Sequence, residues 1–189
     1  MSQKKLWLFL GPSASGKTTV EEFMILNHGF CRLVASTSRD IRDGEAPGVH
    51  YNYKSVSECL SEPVENAFEI IISKDWVYSM PKEELLAKFN DNTQDNYIYS
   101  IINLEPTRDL IDYIRLNFPK IDINVILFDI DVEQRVDLLR QRGESEQAIS
   151  DRLAREDDLS EIDFGIDFKI SNIYTSVEDF NTFFYNKST

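Results

Sequence analysis

The residues best suited to chemistry in this chain form one short run near its N-terminus. Gly11-Pro12-Ser13-Ala14-Ser15-Gly16-Lys17-Thr18 matches the phosphate-binding pattern G-x-x-x-x-G-K-[ST] at every fixed position. Its glycines allow backbone N–H groups to turn inward around a phosphate, and Lys17 carries a positive charge to the β- and γ-phosphates. The Thr18 hydroxyl is suited to Mg²⁺. We therefore predict binding of ATP with Mg²⁺, with Thr18 as metal ligand, by Gly11, Ser13, Ala14, Ser15, Gly16, Lys17, Thr18 and Thr19.

The elements that must position this loop follow an alternating pattern. Apolar runs of strand length occur at Leu6–Leu10, Phe30–Ala35, Phe68–Ile72, Tyr97–Leu104, Asn124–Asp129 and Phe168–Ile170. Helical patterns cover Thr18–His28, Lys82–Asn90, Thr107–Phe118, Glu133–Arg142, Glu146–Leu159 and Ser176–Tyr185. Strands that alternate with helices predict an α/β fold with a mostly parallel sheet. The phosphate loop then lies between the first strand and the first helix, which is the context that its chemistry requires.

Two segments depart from this alternation and are predicted to be insertions. Residues 36–81 are rich in turn residues and short strand patterns, and FEIIISKDWVYSM is typical of two strands around a turn at Lys74–Asp75. The second segment, residues 132–159, is helical and carries many charges. We therefore expect a single domain with a core at 1–35, 82–131 and 160–189 and with insertions at 36–81 and 132–159.

Composition narrows the classes of partner. The 189 residues carry a formal net charge of −13, which disfavours long nucleic acids and anionic membranes as partners. The chain has no apolar run of 18 residues, and Leu6–Leu10 is too short for a signal peptide, so we expect a cytoplasmic protein. Cys31 and Cys59 lack the spacing of a disulfide framework or a zinc site. Local arginine clusters within this acidic background favour a small anionic ligand.

The segment after the second predicted strand has the residues for a second phosphate site. Two guanidinium groups and a phenol, those of Arg39, Arg42 and Tyr51, can surround one phosphate with several donors. Together with Gly44, Glu45 and Gly48, these residues follow the spacing T-T-R-x-x-R-x-G-E-x-x-G-x-x-Y, and this segment resembles the acceptor site of the guanylate kinase family. The resemblance covers nearly the whole chain. It implies a P-loop NTPase three-layer fold with a central parallel sheet, a small β-rich monophosphate-binding insertion and a helical lid.

The resemblance also implies an activity, the transfer of phosphate from ATP to a nucleoside monophosphate such as GMP or dGMP. Arg140-Gln141-Arg142-Gly143 and Arg152 resemble the lid of the family, which closes over ATP. Catalytic roles are thereby implied for Lys17, Arg39, Arg140 and Arg152, and contacts with ATP for Arg142 and Asn172. The implied acceptor site comprises Ser36, Arg39, Arg42, Glu45, Tyr51, Glu69, Tyr78, Met80, Asn103 and Glu105.

Three departures from the family pattern concern four residues. Ala35 and Met80 stand where family members usually carry polar residues that contact guanine, and Asn103 and Glu105 stand where a strand usually carries two acidic residues. A base site that has lost polar partners should discriminate poorly, so another base remains open as the acceptor. The alternatives are a kinase for another nucleotide or deoxynucleotide, a kinase for ribose 1,5-bisphosphate, and a non-catalytic guanylate-kinase-like binding module.

Overall fold

The computed structural model of the protein describes residues 3–42, 44–61, 67–72, 76–91, 93–101, 104–154, 159 and 162–188. At residues 69–72, 100, 101, 105 and 188 only the backbone is described. The strands are β1 Lys5–Leu10, β2 Cys31–Arg32, β3 Ser36–Thr37, β4 Asn52–Tyr53, β5 Ala67–Ile72, β6 Val77–Pro81, β7 Asn96–Ile101, β8 Asp122–Phe128 and β9 Phe168–Ile170. The helices are α1 Lys17–His28, α2 Val56–Cys59, α3 Lys82–Asn90, α4 Leu104–Asn117, α5 Val132–Gln141, α6 Glu146–Leu153 and α7 Ser176–Ser188.

A central parallel sheet has the strand order β2-β7-β1-β8-β9. Successive side chains of β1 point to opposite faces of this sheet, because strand side chains alternate. Leu6 and Leu8 pack in a cluster with residues of α3 and α4, whereas Trp7 and Phe9 pack with residues of α1 and α7. All four side chains are fully buried. A central strand covered on both faces explains the uninterrupted apolar run LWLFL.

A second sheet, of order β4-β3-β6-β5, is formed within residues 36–81. Strands β5 and β6 are antiparallel, as FEIIISKDWVYSM predicts, and Glu69 is the register partner of Met80. The predicted turn at Lys74–Asp75 lies outside the described residues. The α/β fold with a central parallel sheet is confirmed, and the two-strand pattern within the first insertion is observed.

Several predicted boundaries differ from the structure. The predicted strand Phe30–Ala35 is shorter in the structure and corresponds to β2, because the chain passes from one sheet to the other within it. The Leu33 N–H donates to Ile98 O of the central sheet, whereas Ala35 O accepts from the Asn52 N–H of the second sheet. The predicted strand Tyr97–Leu104 runs too far, since Leu104 begins α4. Pro106 is tolerated there because the first turn of a helix needs no intrahelical N–H donors. The predicted helix Glu146–Leu159 ends earlier in the structure, at Leu153, and residues 155–158 lie outside the described part.

Within the described ranges, none of the helices combines the length and the apolar character needed to cross a bilayer.

Candidate active site

The phosphate loop joins the end of β1 to the start of α1 and is shaped by two glycines. Gly11 has φ +148°, and a Cβ there would lie 2.6 Å from the backbone O of Phe128, so a side chain would displace the loop from β8. Gly16 caps α1 with φ +88°, in the left-handed region that favours glycine. The first turn of a helix carries N–H groups that the helix itself does not fully use, so the start of α1 beside this loop is a favourable place for a phosphate.

Lys17 is held against the carbonyl groups of the loop. Its Nζ donates to Gly11 O at 2.6 Å, to Pro12 O at 2.7 Å and to Ser15 Oγ at 3.3 Å. These bonds place the ammonium group at the centre of the loop. Thr18, the next residue, is exposed. The loop therefore presents an ammonium group, a hydroxyl and a helix N-terminus together.

A cleft of about 190 Å³ connects this loop with the predicted acceptor segment and the predicted lid. Many of the predicted site residues line it together. They are Ser13, Ala14, Lys17, Thr18, Arg39, Arg42, Glu45, Tyr51, Tyr78, Arg142 and Arg152.

Arg39 is the centre of a hydrogen-bonded network on the side of the cleft that the predicted acceptor segment forms, called the acceptor side below. Its two Nη atoms donate to the two oxygens of Glu45, each at 2.8 Å, and its Nε donates to Tyr78 Oη at 2.9 Å. Its guanidinium carbon lies 5.1 Å from the ring centre of Tyr51. A guanidinium group fixed on three sides is pre-organised for an anion, because little side-chain entropy remains to be lost on binding.

The Glu45 carboxylate holds this network together. It also accepts from Tyr53 Oη at 2.7 Å and from the Arg42 N–H at 2.9 Å. Burial alone would raise the pKa of Glu45, but the hydrogen bonds from Arg39, Tyr53 and Arg42 outweigh burial and lower it to about 2. Burial would likewise lower the pKa of Arg39, yet its bonds to Glu45 and Tyr78 raise that pKa above its usual value. Both groups are therefore charged at any physiological pH.

The predicted lid, residues 132–159 and called the lid below, contributes arginines of two kinds. Arg152 of α6 donates through Nη1 to Ser13 Oγ at 3.5 Å and pairs through Nε with Glu144 at 2.7 Å. Arg140 of α5 is directed elsewhere, since its guanidinium pairs with Glu146 at 2.8 Å and 3.0 Å, and it is not among the residues that line the cleft. The structure thus brings Arg152 to the phosphate loop and leaves Arg140 on the outer surface of the lid.

Other predicted residues lie away from the cleft or outside the described part. Met80 is fully buried in the core and lines a second cavity together with residues of α3, and Ser36 is buried in β3. Thr19 and Asn172 are exposed and do not line the cleft. Asn103 lies outside the described residues, and the side chains of Glu69 and Glu105 lie outside them as well.

Residues that the sequence did not single out support or line the cleft. Tyr53 secures Glu45, and buried Arg135 donates to Ser13 O at 3.4 Å from the start of α5. Glu21 and Arg32 form an ion pair that lines the cleft. A sequence signal for this pair did exist, since each is a charged residue at a position that an apolar strand or helix pattern assigns to the interior.

The donor set of the cleft fits Mg²⁺ bound together with nucleotide phosphates. Within the described ranges, no group of three or more His, Cys, Asp or Glu side chains is placed to hold a metal ion. Mg²⁺ usually keeps several waters and takes few protein ligands beside substrate phosphates. The exposed Thr18 hydroxyl, which lines the cleft, is suited to be such a ligand.

Comparison with known proteins identifies the relatives of this chain. No model of a known protein family matches the sequence. Guanylate kinase of Clostridium tetani is 38% identical over 68 residues, which are 36% of this chain and 33% of that protein. The matched segment thus spans about a third of the length of such relatives. Guanylate kinase of Onion yellows phytoplasma is 28% identical over 163 residues, which cover 82% of this chain and 72% of that protein.

The fold comparison agrees with the sequence comparison. The crystal structure of guanylate kinase from Anaplasma phagocytophilum superposes with a TM-score of 0.62 at 15% identity, covering 99% of this chain and 87% of that one. At that identity the superposition bears on the fold alone, and the sequence relatives bear on the family. Taken together with the matched phosphate loop and acceptor segment, these similarities relate the chain to guanylate kinases in sequence and in fold.

Proposed function

We propose that this chain is an ATP-dependent nucleoside monophosphate kinase, with GMP or dGMP as the first acceptor to test. The observation that carries this proposal is the shared cleft. Lys17 and Arg152 line it beside the phosphate loop, and Arg39, Arg42, Tyr51 and Tyr78 supply a second set of anion-binding groups in the same cleft. Two phosphate-binding sets that share one cleft are what phosphate transfer between two nucleotides requires.

The reaction needs positioning and charge stabilisation more than it needs a base. An oxygen of the acceptor phosphate forms a bond to the γ-phosphorus of ATP while the bond from that phosphorus to the β–γ bridging oxygen breaks, and ADP leaves. Since the attacking oxygen is already anionic, no side chain has to remove a proton. Lys17 and the loop N–H groups hold the donor phosphates, and Arg39 holds the acceptor phosphate.

Arg152 is placed to stabilise the charge that spreads over the transferred group. Its contact with Ser13 Oγ brings a guanidinium group from the lid to the phosphate loop. Mg²⁺, held by Thr18 and the phosphate oxygens, would add further neutralisation of charge there. Closure of α5 and α6 over the cleft excludes water, which limits wasteful hydrolysis of ATP.

The names of the relatives support guanine as the acceptor base, while one residue of the cleft favours a test of other bases. Ala35 lines the cleft with a methyl group where the family pattern has a polar side chain. The acceptor panel should therefore contain GMP, dGMP, AMP, CMP, dCMP, UMP, dTMP and ribose 1,5-bisphosphate.

The test is an ADP-coupled assay with Mg·ATP on the wild-type chain and on Lys17→Met and Arg39→Lys. We expect turnover of at least one nucleoside monophosphate, and we expect each variant to lower kcat/KM by a factor of about 10²–10³, the usual effect of losing one donor aimed at developing charge. The exposed Lys120 provides a matched control, since Lys120→Met removes a lysine outside the cleft. Normal turnover in both cleft variants would contradict the site assignment. An absence of transfer to any acceptor, with ATP still bound, would favour the non-catalytic binding module.

A further inference from the structure

The cleft holds a buried ion pair that the phosphate chemistry does not use. Arg32 Nε donates to Glu21 Oε1 at 2.8 Å, and the two side chains are only 10% and 6% exposed. Glu21 lies one helical turn beyond Lys17 on α1, which places it about 6 Å further along the helix axis. Both residues line the cleft. The pair therefore lies further along α1 than Lys17 and lines the same cleft.

Arg32 carries one hydrogen-bond donor group that the protein does not satisfy. Its Nε is taken by Glu21, and its Nη1 donates to Val49 O at 3.2 Å. Within the described part of the chain, Arg32 Nη2 is buried and has no hydrogen-bond partner. An unsatisfied buried donor on a charged group is costly, so native proteins keep one only where something compensates for it. Because Glu21 and Val49 fix the other two nitrogens and Arg32 lines the cleft, Nη2 is the nitrogen of this side chain that remains for a ligand.

The surroundings of Arg32 fit a base better than a second phosphate. Leu33 and Ala35, which follow Arg32 in the chain, line the cleft with apolar side chains. Apolar walls beside one fixed polar group are typical of sites that bind a flat ring and read one atom on its edge. The acceptor phosphate already has its own donors in Arg39 and Arg42. A guanidinium group has donors and no acceptor, so it would pair with a carbonyl oxygen and oppose an amino group.

We propose that Arg32, held in place by Glu21, binds a carbonyl oxygen on the base of the acceptor, so that the cleft accepts oxo-bases and discriminates against adenine. This inference rests on the proposed function, because it assigns the base that the kinase reads. It also offers a donor for the base from a position other than Ala35, where the family pattern has its polar group. Adenine is the common base without a carbonyl group, so AMP is the natural comparison with GMP.

The experiment compares kcat/KM for GMP, UMP, dTMP and AMP in three forms of the chain. Loss of Arg32 alone would remove an ion-pair partner of the buried Glu21 carboxylate, so the main variant is the double substitution Glu21→Gln with Arg32→Met. Arg32→Lys keeps the charge and loses the planar fork. Arg115→Met, at an exposed position of α4, is the matched control. Binding of ATP to each variant reports that the fold and the phosphate loop are intact.

We expect the wild-type chain to prefer an oxo-base nucleotide over AMP. The double variant should lower kcat/KM for the preferred acceptor by a factor of about 10–100, mainly through KM, which corresponds to the loss of one charge-assisted hydrogen bond. The kcat/KM of the double variant for AMP should hardly change, so the ratio of kcat/KM for the preferred acceptor to kcat/KM for AMP falls. Arg32→Lys should give an intermediate ratio, and Arg115→Met should give the wild-type ratio.

Two results would overturn the proposal in distinguishable ways. An equal loss of kcat/KM with every acceptor, at constant selectivity, would mean that Arg32 only stabilises the packing of α1 against the loop that carries Val49. Transfer to no acceptor by the wild-type chain would refute the proposed function. In that case the dissociation constants of GMP and AMP, measured by calorimetry, decide the role of Arg32. An unchanged ratio of the two constants in the double variant refutes that role, and a ratio that falls supports it.

Discussion

Glu45 offers the sharpest test of how the acceptor side is built, because one carboxylate receives four hydrogen bonds. Two come from Arg39, one from the Tyr53 hydroxyl and one from the Arg42 N–H. Glu45→Gln keeps the shape of the side chain and removes its charge. The amide retains one oxygen, so the fork of Arg39 loses its match, and the amide NH₂ group faces donors. We expect this variant to be less stable and to bind the acceptor less tightly.

The magnitude follows from the pKa of the carboxyl group. The native surroundings lower the pKa of Glu45 from 4.5 to about 2. One pKa unit corresponds to about 1.4 kcal/mol, so this shift corresponds to roughly 3 kcal/mol of favourable interaction between the protein and the ionised Glu45 carboxylate. Solvent screens part of this interaction because Glu45 lies at the edge of an open cleft, and we therefore expect Glu45→Gln to lower the free energy of unfolding by about 1–2 kcal/mol at pH 7.

The pH dependence gives this prediction a sign. A carboxyl group whose pKa is lower in the folded state than in the unfolded chain stabilises the fold fully above the unfolded value. For Glu45 this contribution is present above pH 4.5 and is lost as the pH falls towards about 2. The stability difference between the wild-type chain and Glu45→Gln should therefore be constant from pH 8 to pH 5 and should shrink below pH 4.5.

Urea unfolding followed by circular dichroism at pH 7, 5, 4 and 3 measures this difference. Glu146→Gln is the matched control, because Glu146 also pairs with an arginine but on the exposed surface of the lid, where loss of the pair should have no measurable effect. A rise in KM for the acceptor should accompany the loss of stability in Glu45→Gln, since Arg39 is then less well held. Equal stability of wild type and Glu45→Gln at every pH would refute the network as described.

Three further predictions concern single residues. Gly11→Ala should lower the free energy of unfolding by about 2–4 kcal/mol and weaken ATP binding, because the new Cβ would meet a backbone oxygen at 2.6 Å. Thermal unfolding measures the loss of stability. Gly165→Ala is the control, because its Cβ would meet nothing within 4 Å. Tyr53→Phe should cost about 0.5–1.5 kcal/mol of stability and raise the acceptor KM slightly, which urea unfolding and steady-state kinetics would show; unchanged values would remove this hydroxyl from the network. Arg152→Met should lower kcat by a factor of about 10² or more, whereas Arg140→Met should lower it less than about threefold. Single-turnover measurements test this difference. A loss of kcat that is similar in the two variants would contradict the different placement of the two arginines.

The fold could be predicted because its signals are local. The run LWLFL, the glycine-lysine loop and the amphipathic pattern after it lie within 28 consecutive residues, and they specify β1, the phosphate loop and α1 without reference to the rest of the chain. Strand ends were less certain because they depend on which sheet a residue joins. Leu33 bonds to the central sheet and Ala35 to the second sheet, and nothing in the apolar pattern of Phe30–Ala35 marks that change.

The site was predictable as a set of anion-binding groups, but its internal pairing was not. Arg140 and Arg152 have equal standing in the sequence pattern, yet a glutamate six residues along the chain turns one outward while a contact across 139 residues brings the other to Ser13. The same holds for Glu21 and Arg32, because the apolar patterns assign each charge to the interior but do not show that the two charges pair there. Charges that pair across the fold decide which arginines face the cleft, and this information lies in the tertiary structure rather than in spacing. If the Arg32 variants change base selectivity as proposed, then a departure from the family pattern at Ala35 is compensated by a residue three positions earlier, and base preference in this family cannot be transferred from one position alone.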